Sequence, residues 1–237
     1  MVRRPAPLLI VAYAATFAYL LVTPVLPDVG GTSDTNTLVS DMPTMLLLAA
    51  CVLVWLPARD EAFVLALLAL GAGLIAAGAT EAGSIPVADV TKALLAATLG
   101  MLLAWALAEP AIVVAVPLFV AGIDIASVAG GPSELLARDS SRAGEFLSLY
   151  LPAWGGGRAG VLGLADLIFL AFFAASAWRF GLRRRVTGAA LMLALPATVV
   201  IGVELDVAVP VLPVLAAALL LPNLDLLPAM LERADKG

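Results

Sequence analysis

The stretch at residues 110–133, PAIVVAVPLFVAGIDIASVAGGPS, decides the fold. Asp124 is its only charge before Gly131. A run of this length is too long for a strand and matches the roughly 20 helical residues that cross a hydrocarbon core of about 30 Å. Leu, Ala and Val dominate it without polar alternation, so a membrane helix fits and a strand of an outer-membrane barrel does not. The rest of the chain has the same character. Of 237 residues, 62% are hydrophobic and 13% charged, with a mean hydropathy of +1.07. Globular chains have roughly 45–50% and about 25% respectively, so there is too little polar surface here to face water.

Seven further runs complete the pattern. Residues 5–27, 42–58, 62–80, 186–203 and 207–224 carry no charge, and neither do residues 93–108, which Asp89 and Lys92 precede. Residues 159–178 are interrupted only by Asp166. The expectation is an all-α polytopic membrane protein of about eight spans. Residues 1–109 supply about four membrane helices, residues 110–224 the functional helices with a loop at 130–158, and residues 225–237 a short interfacial tail. The first run is read as a retained helix, because it is longer than the apolar core of a signal peptide and no small-x-small site follows it. Lys and Arg set the orientation. With the N-terminus inside, Arg3, Arg4, Arg59, Arg179, Arg183, Arg184, Arg185, Arg233 and Lys236 lie inside, against Lys92, Arg138, Arg142 and Arg158 outside. Both termini are therefore expected inside, in a membrane of prokaryotic cytoplasmic type. Histidine is absent and Cys51 is the single cysteine, which removes disulfides, His/Cys zinc sites and His-dependent nucleophiles. A net charge of −5 without a basic surface cluster argues against nucleic acid.

Asp124 and Asp166 are the informative residues, because a carboxyl group within hydrocarbon is costly and marks function by default. A purely structural hydrogen bond between helices is the plainer alternative. The helix bearing Asp124 ends near Gly130, six residues later, so the acid lies roughly 9 Å below that end. The next helix is expected to start near Gly160, which places Asp166 at roughly the same depth on an antiparallel neighbour. Two carboxyls close together at low dielectric do not readily both ionise, and they titrate as a pair. One can then take a proton from water while the other polarises a carbonyl, as aspartic proteases do. Pro210-Val211-Leu212-Pro213 falls at the same level. Its prolines remove backbone donors, as a helix start or a cavity-lining break would.

These residues resemble the intramembrane aspartyl protease family that includes presenilin and signal peptide peptidase. That family has a Tyr-Asp motif, then Gly-x-Gly-Asp on the next helix and Pro-Ala-Leu on the last. The corresponding stretches here are Gly122-Ile123-Asp124, Gly163-Leu164-Ala165-Asp166 and Pro210-Val211-Leu212-Pro213. Order, spacing and the intervening run at 186–203 agree, over about residues 110–224. The resemblance implies a presenilin-like bundle and Asp124 and Asp166 as the catalytic pair. Substrate would be bound by Gly163, Leu164, Ala165, Pro210, Val211, Leu212 and Pro213. The implied substrates are transmembrane or signal-peptide-like helices within membrane lipid, and no cofactor or metal is implied. Ile123, Ala165 and Val211 depart from the family pattern, and a methyl at 165 is expected to crowd substrate or a neighbouring helix where glycine would not. Prepilin peptidases share a Gly-x-Gly-Asp but fit the last helix less well. An ion- or proton-coupled transporter with the acids as a relay, and an inactive helix-binding homologue, are the alternatives.

The loop 130–158 carries Phe146-Leu147-Ser148-Leu149-Tyr150-Leu151, Trp154 and Gly155-Gly156-Gly157. It reads either as an interfacial segment or as a gate whose alternating residues form an edge for an unwound substrate. The arginines at 179 and 183–185 read as a topology and anionic-lipid anchor. Asp89, Glu109, Glu204 and Asp206 read as water-accessible residues at helix ends.

Overall fold

The computed structural model describes residues 6–30, 33–130 and 142–234. Arg3, Arg4, Arg138 and Lys236, which entered the orientation argument, lie outside them, as does the 131–141 part of the proposed gate. The described chain is mostly helical: α1 (Ala6–Val22), α2 (Ser33–Leu53), α3 (Ala62–Glu81), α4 (Ile85–Ala106), α5 (Pro110–Gly130), a short α6 (Arg142–Leu147), α7 (Leu164–Arg179), α8 (Arg184–Leu205), α9 (Val211–Leu220) and α10 (Leu227–Ala234). Between α6 and α7 stands an antiparallel hairpin of β1 (Ser148–Pro152) and β2 (Arg158–Gly163). The all-α expectation is corrected to that extent.

Among the described residues, six helical stretches are long and apolar enough to cross a bilayer: Pro7–Val25, Asp34–Ala58, Ala62–Glu81, Ile85–Ala106, Pro110–Val128 and Arg184–Leu205. The other two expected spans give shorter helices. In the run 159–178 the first five residues are extended, leaving α7 with 16 residues. The run 207–224 forms a helix of only 10 residues before a 3-10 turn at Leu221–Asn223.

The centre of the bundle is the contact between α4 and α7. Their backbones come so close that a Cβ on Gly100 would overlap Ile168 O, with Ala171 Cβ at 2.5 Å and Phe172 N at 2.9 Å. Small residues continue the seam, with Ala93, Ala96, Ala97 and Ala104 on α4 and Ala171, Ala174 and Ala175 on α7 all buried. Such residues let membrane helices gain dispersion contact where no hydrophobic drive separates them from lipid. Phe172 and Phe173 fill the space beside the seam. The N-terminal part of the chain thus forms the wall that fixes α7. Around this centre α3 packs on α4, α2 on α8, α9 on both α5 and α8, and α1 on α2 and α4. The tail helix α10 leans on α5, with Leu227 and Met230 buried.

The hairpin closes one end of the bundle. Its turn, Ala153–Gly157, runs Gly155, Gly156 and Gly157 at φ of +81°, +92° and +89°, a left-handed path that residues with a Cβ adopt only under strain. The turn is pinned to α1 and α2: Gly155 N donates to Leu26 O at 2.7 Å, Trp154 N to Ser40 Oγ at 3.0 Å, Trp154 Nε1 to Tyr19 Oη at 3.1 Å, and Asn36 Nδ2 to Trp154 O at 3.0 Å.

Candidate active site

Each of the two central acids sits at a helix N-terminus, where backbone N–H groups lack intrahelical partners. Asp166 is the third residue of α7, not the seventh of a helix begun at Gly160, because residues 158–163 are strand. Its Oδ2 accepts from Gly163 N at 3.1 Å, so the carboxylate closes the first turn of its own helix. Asp124 lies on α5, six residues before Gly130 as expected. Its Oδ2 accepts from Leu212 N at 2.9 Å. Leu212 is the second residue of α9, and Pro213 after it has no N–H, so Asp124 satisfies the first turn of a helix 88 residues away in sequence. The positive ends of two helix dipoles therefore face the two carboxylates.

Both α5 and α9 pack on α7, so the two acids stand on neighbouring helices. Both are partly exposed, and in each the Oδ1 atom has no protein hydrogen bond among the described residues. In each carboxyl the other oxygen, Oδ2, is held by a backbone N–H.

The remaining sequence candidates divide by burial. Gly163 is essential to the geometry, since a Cβ there would stand 3.0 Å from Asp166 Oδ2 and 3.6 Å from its Cγ. Leu164 and Leu212 point into the core, and Leu212 reaches the site through its backbone alone. Pro210, Val211 and Pro213 are half-buried at the start of α9, which makes Pro210 a helix N-cap. Ala165 is exposed, so the expected crowding of a neighbouring helix by its methyl does not occur. Ile123, 53% exposed, points away from the bundle.

The hairpin leads into Asp166. Tyr150 N donates to Asp89 Oδ2 at 3.2 Å and Lys92 Nζ donates to Ser148 O at 2.6 Å, so residues 148 and 150 face away from β2. By alternation Leu149 and Leu151 pair with Leu162 and Gly160, and Val161 turns its N–H and C=O outward from β2. Among the described residues the sheet has two strands, so none of them covers that outer edge. The edge left open there is on β2, whereas the alternation at 146–151 had pointed to β1.

Two acids escaped the sequence reading. Asp89 is 1% exposed beside Lys92, also 1%, and is no water-accessible helix end. Asp41, which immediately precedes the uncharged run 42–58, is buried within α2, and its Oδ1 has no hydrogen bond among the described residues. A Cβ on Gly160 would lie 2.9 Å from Asp41 Oδ2, so β2 rests directly on this carboxyl. The i,i+3 spacing of Asp89 and Lys92 was the available signal for the first. Nothing in the local sequence distinguished Asp41 from Asp28 or Asp34. No protein-family model, no curated protein and no solved structure matches the chain.

Proposed function

We propose that this membrane protein is an intramembrane aspartyl protease of the kind its motifs resemble, cutting transmembrane or signal-peptide-like helices with Asp124 and Asp166. The observation that carries the reading is the bond from Leu212 N to Asp124 Oδ2, at 2.9 Å. It joins the Pro-Val-Leu-Pro stretch to the first acid, and the helices carrying both of these pack on α7, which carries the second acid. The three stretches that carry the resemblance thus lie on mutually packed helices, although 88 residues separate the bonded pair. An internal ion relay would need the acids but not this bond to the start of α9.

In the proposed reaction the ionised acid takes a proton from a water held between the Oδ1 atoms. The protonated partner donates to the scissile carbonyl, and the resulting hydroxyl attacks the carbonyl carbon. Collapse of the tetrahedral species breaks the C–N bond: the acid that took the water proton gives it to the leaving amine, and the other acid, ionised after its donation, takes a proton back from the gem-diol hydroxyl as the carboxylic acid product forms. A helical substrate hides its peptide groups in internal hydrogen bonds, so it must be opened first. The free edge at Val161 suits an unwound segment added as a third strand, three residues from the start of α7. Leu164 and Leu212 then shape the site from behind, and Ala165, Pro210, Val211 and Pro213 line the approach.

The finer topology belongs to the same proposal: eight crossings, both termini inside, and the hairpin end of the bundle outside. Extended residues advance about 3.3 Å each against 1.5 Å in a helix, so β2 lengthens the reach of α7 toward a full crossing. Lipid is the surrounding partner, and the chemistry needs neither cofactor nor metal.

A peptide carrying a tetrahedral hydroxyl-bearing carbon in place of the scissile carbonyl tests the assignment. It should raise the melting temperature of the detergent-solubilised wild type in a concentration-dependent way and leave Asp166→Asn unshifted. Equal shifts in both proteins would place its binding away from the acids.

A further inference from the structure

The buried pair on α4 has no part in the proposed bond cleavage, yet its cost demands a role. Lys92 and Asp89 are each 1% exposed, and taking two charges out of water is costly before their attraction is counted. Their own contact is loose, with Nζ 3.9 Å from Asp89 Oδ1. Both side chains also bond backbone, at shorter range: Lys92 Nζ donates to Glu145 O at 2.8 Å and Ser148 O at 2.6 Å, and Asp89 Oδ2 accepts from Tyr150 N at 3.2 Å.

Those backbone groups are not arbitrary. Ser148 O and Tyr150 N lie two residues apart on the outer edge of β1, where a further strand would bind. The cation takes the carbonyl and the anion takes the N–H, so the pair occupies the edge as a neighbouring strand would. The register then transmits the constraint: Ser148 pairs with Gly163 and Tyr150 with Val161. Fixing 148 and 150 against α4 fixes the outward groups of Val161, and fixes Gly163 where it bonds Asp166.

We propose that Lys92 and Asp89 are positioning residues that set the register in which β2 receives a substrate strand, and so determine which substrate peptide bond reaches the acids. The proposal rests on the protease reading. Loss of the latch frees β1 and β2 to move along the strand direction relative to α4 and α7. A strand on the free edge can then pair in alternative registers. A slip of one residue turns every side chain to the opposite face, whereas a slip of two keeps the same faces in contact. Displacements should therefore come in steps of two residues, about 6.6 Å along the strand.

The test is the mass spectrum of products from one single-span substrate, cut by purified wild type, Lys92→Met, Lys92→Arg and Asp89→Asn in the same detergent. Wild type should give one dominant cut site. Lys92→Met should move a large share of product to sites two residues away, and Lys92→Arg, which keeps cationic donors, should restore most of the original site. Asp89→Asn keeps an oxygen for Tyr150 N and loses the charge beside Lys92, so it should give a weaker form of the same spread. It decides the matter if Lys92→Met does not fold. Product masses identical to wild type in the folded variants, even with a lowered melting temperature, would overturn the proposal and leave the pair a purely structural clamp. New sites at one- or three-residue intervals would overturn it equally. An uncut substrate with wild type would instead remove the protease reading itself.

Discussion

Adding one methyl group at Gly163 is the most sensitive perturbation of the proposed site. The backbone there has φ −68° and ψ 137°, which alanine adopts freely, so the change introduces no main-chain strain. The new Cβ would stand 3.0 Å from Asp166 Oδ2, where ordinary contact begins at 3.4 Å. The carboxylate must recede by about 0.4 Å, and its 3.1 Å bond from Gly163 N stretches toward the limit of a useful hydrogen bond. Weakening that bond costs up to about 0.5–1.5 kcal/mol, the usual net worth of a hydrogen bond. Alanine returns about 0.4–1 kcal/mol by restricting the unfolded chain. Stability should fall only slightly. Catalysis is less tolerant, because a site needs its groups within about 0.5 Å of the productive arrangement. Gly163→Ala should lower the cleavage rate of a model substrate about tenfold or more, equivalent to about 1.4 kcal/mol in the barrier. Single-turnover rates beside thermal melts separate the two effects. Wild-type turnover in Gly163→Ala would refute the claim that this contact positions Asp166.

Three other substitutions follow from the same geometry. Asp124→Ala strands Leu212 N at the start of α9 and should cost about 1–3 kcal/mol, whereas Asp124→Asn keeps an oxygen there and should melt closer to wild type; equal melting of the two would mean the Leu212 bond contributes nothing. Gly100→Ala places a methyl where Ile168 O and Phe172 N already lie, so it should lower stability by about 1–3 kcal/mol and reduce cleavage as α7 is pushed away, and an unchanged melting curve would refute the close approach of α4 and α7. Ala165→Gly relieves no helix contact and should cost up to about 1 kcal/mol as an early helical position, but it clears the open side beside Asp166 and should raise or redirect cleavage; an unchanged product pattern would put residue 165 outside the substrate path.

The membrane class and the two central acids were legible because each has a one-dimensional signature: long uncharged runs, and single carboxyls within them. The bond between Asp124 and the start of α9 was half legible. Depth counting placed Pro210–Pro213 near the acids, but which backbone group reached them depended on Val211 beginning a helix. The start of α7 was misplaced because Ala159-Gly160-Val161-Leu162-Gly163 is as apolar as the helix it precedes, and hydropathy does not separate a short buried strand from a helical turn. What distinguishes it is the pairing with Ser148–Pro152, a contact between segments that no local pattern carries. Burial of Asp41, Asp89 and Lys92 has the same origin. Each stands near the end of an apolar run, where water is the natural expectation. The hairpin folds over the ends of α2 and α4 and takes that water away. Gly163 was noticed as a motif residue, whereas the spatial demand was assigned to position 165. Only the packing of the Asp166 carboxylate against a bare Cα moves it to 163.

The central claim is that Asp124 and Asp166 together hydrolyse a peptide bond within a membrane-spanning substrate. Mass spectrometry of a single-span model substrate incubated with purified wild type, Asp124→Asn and Asp166→Asn tests it most directly. Wild type should cleave inside the apolar segment and neither variant should cleave, with all three proteins folded. Cleavage that persists in either asparagine variant, or an intact substrate with folded wild type, would contradict it.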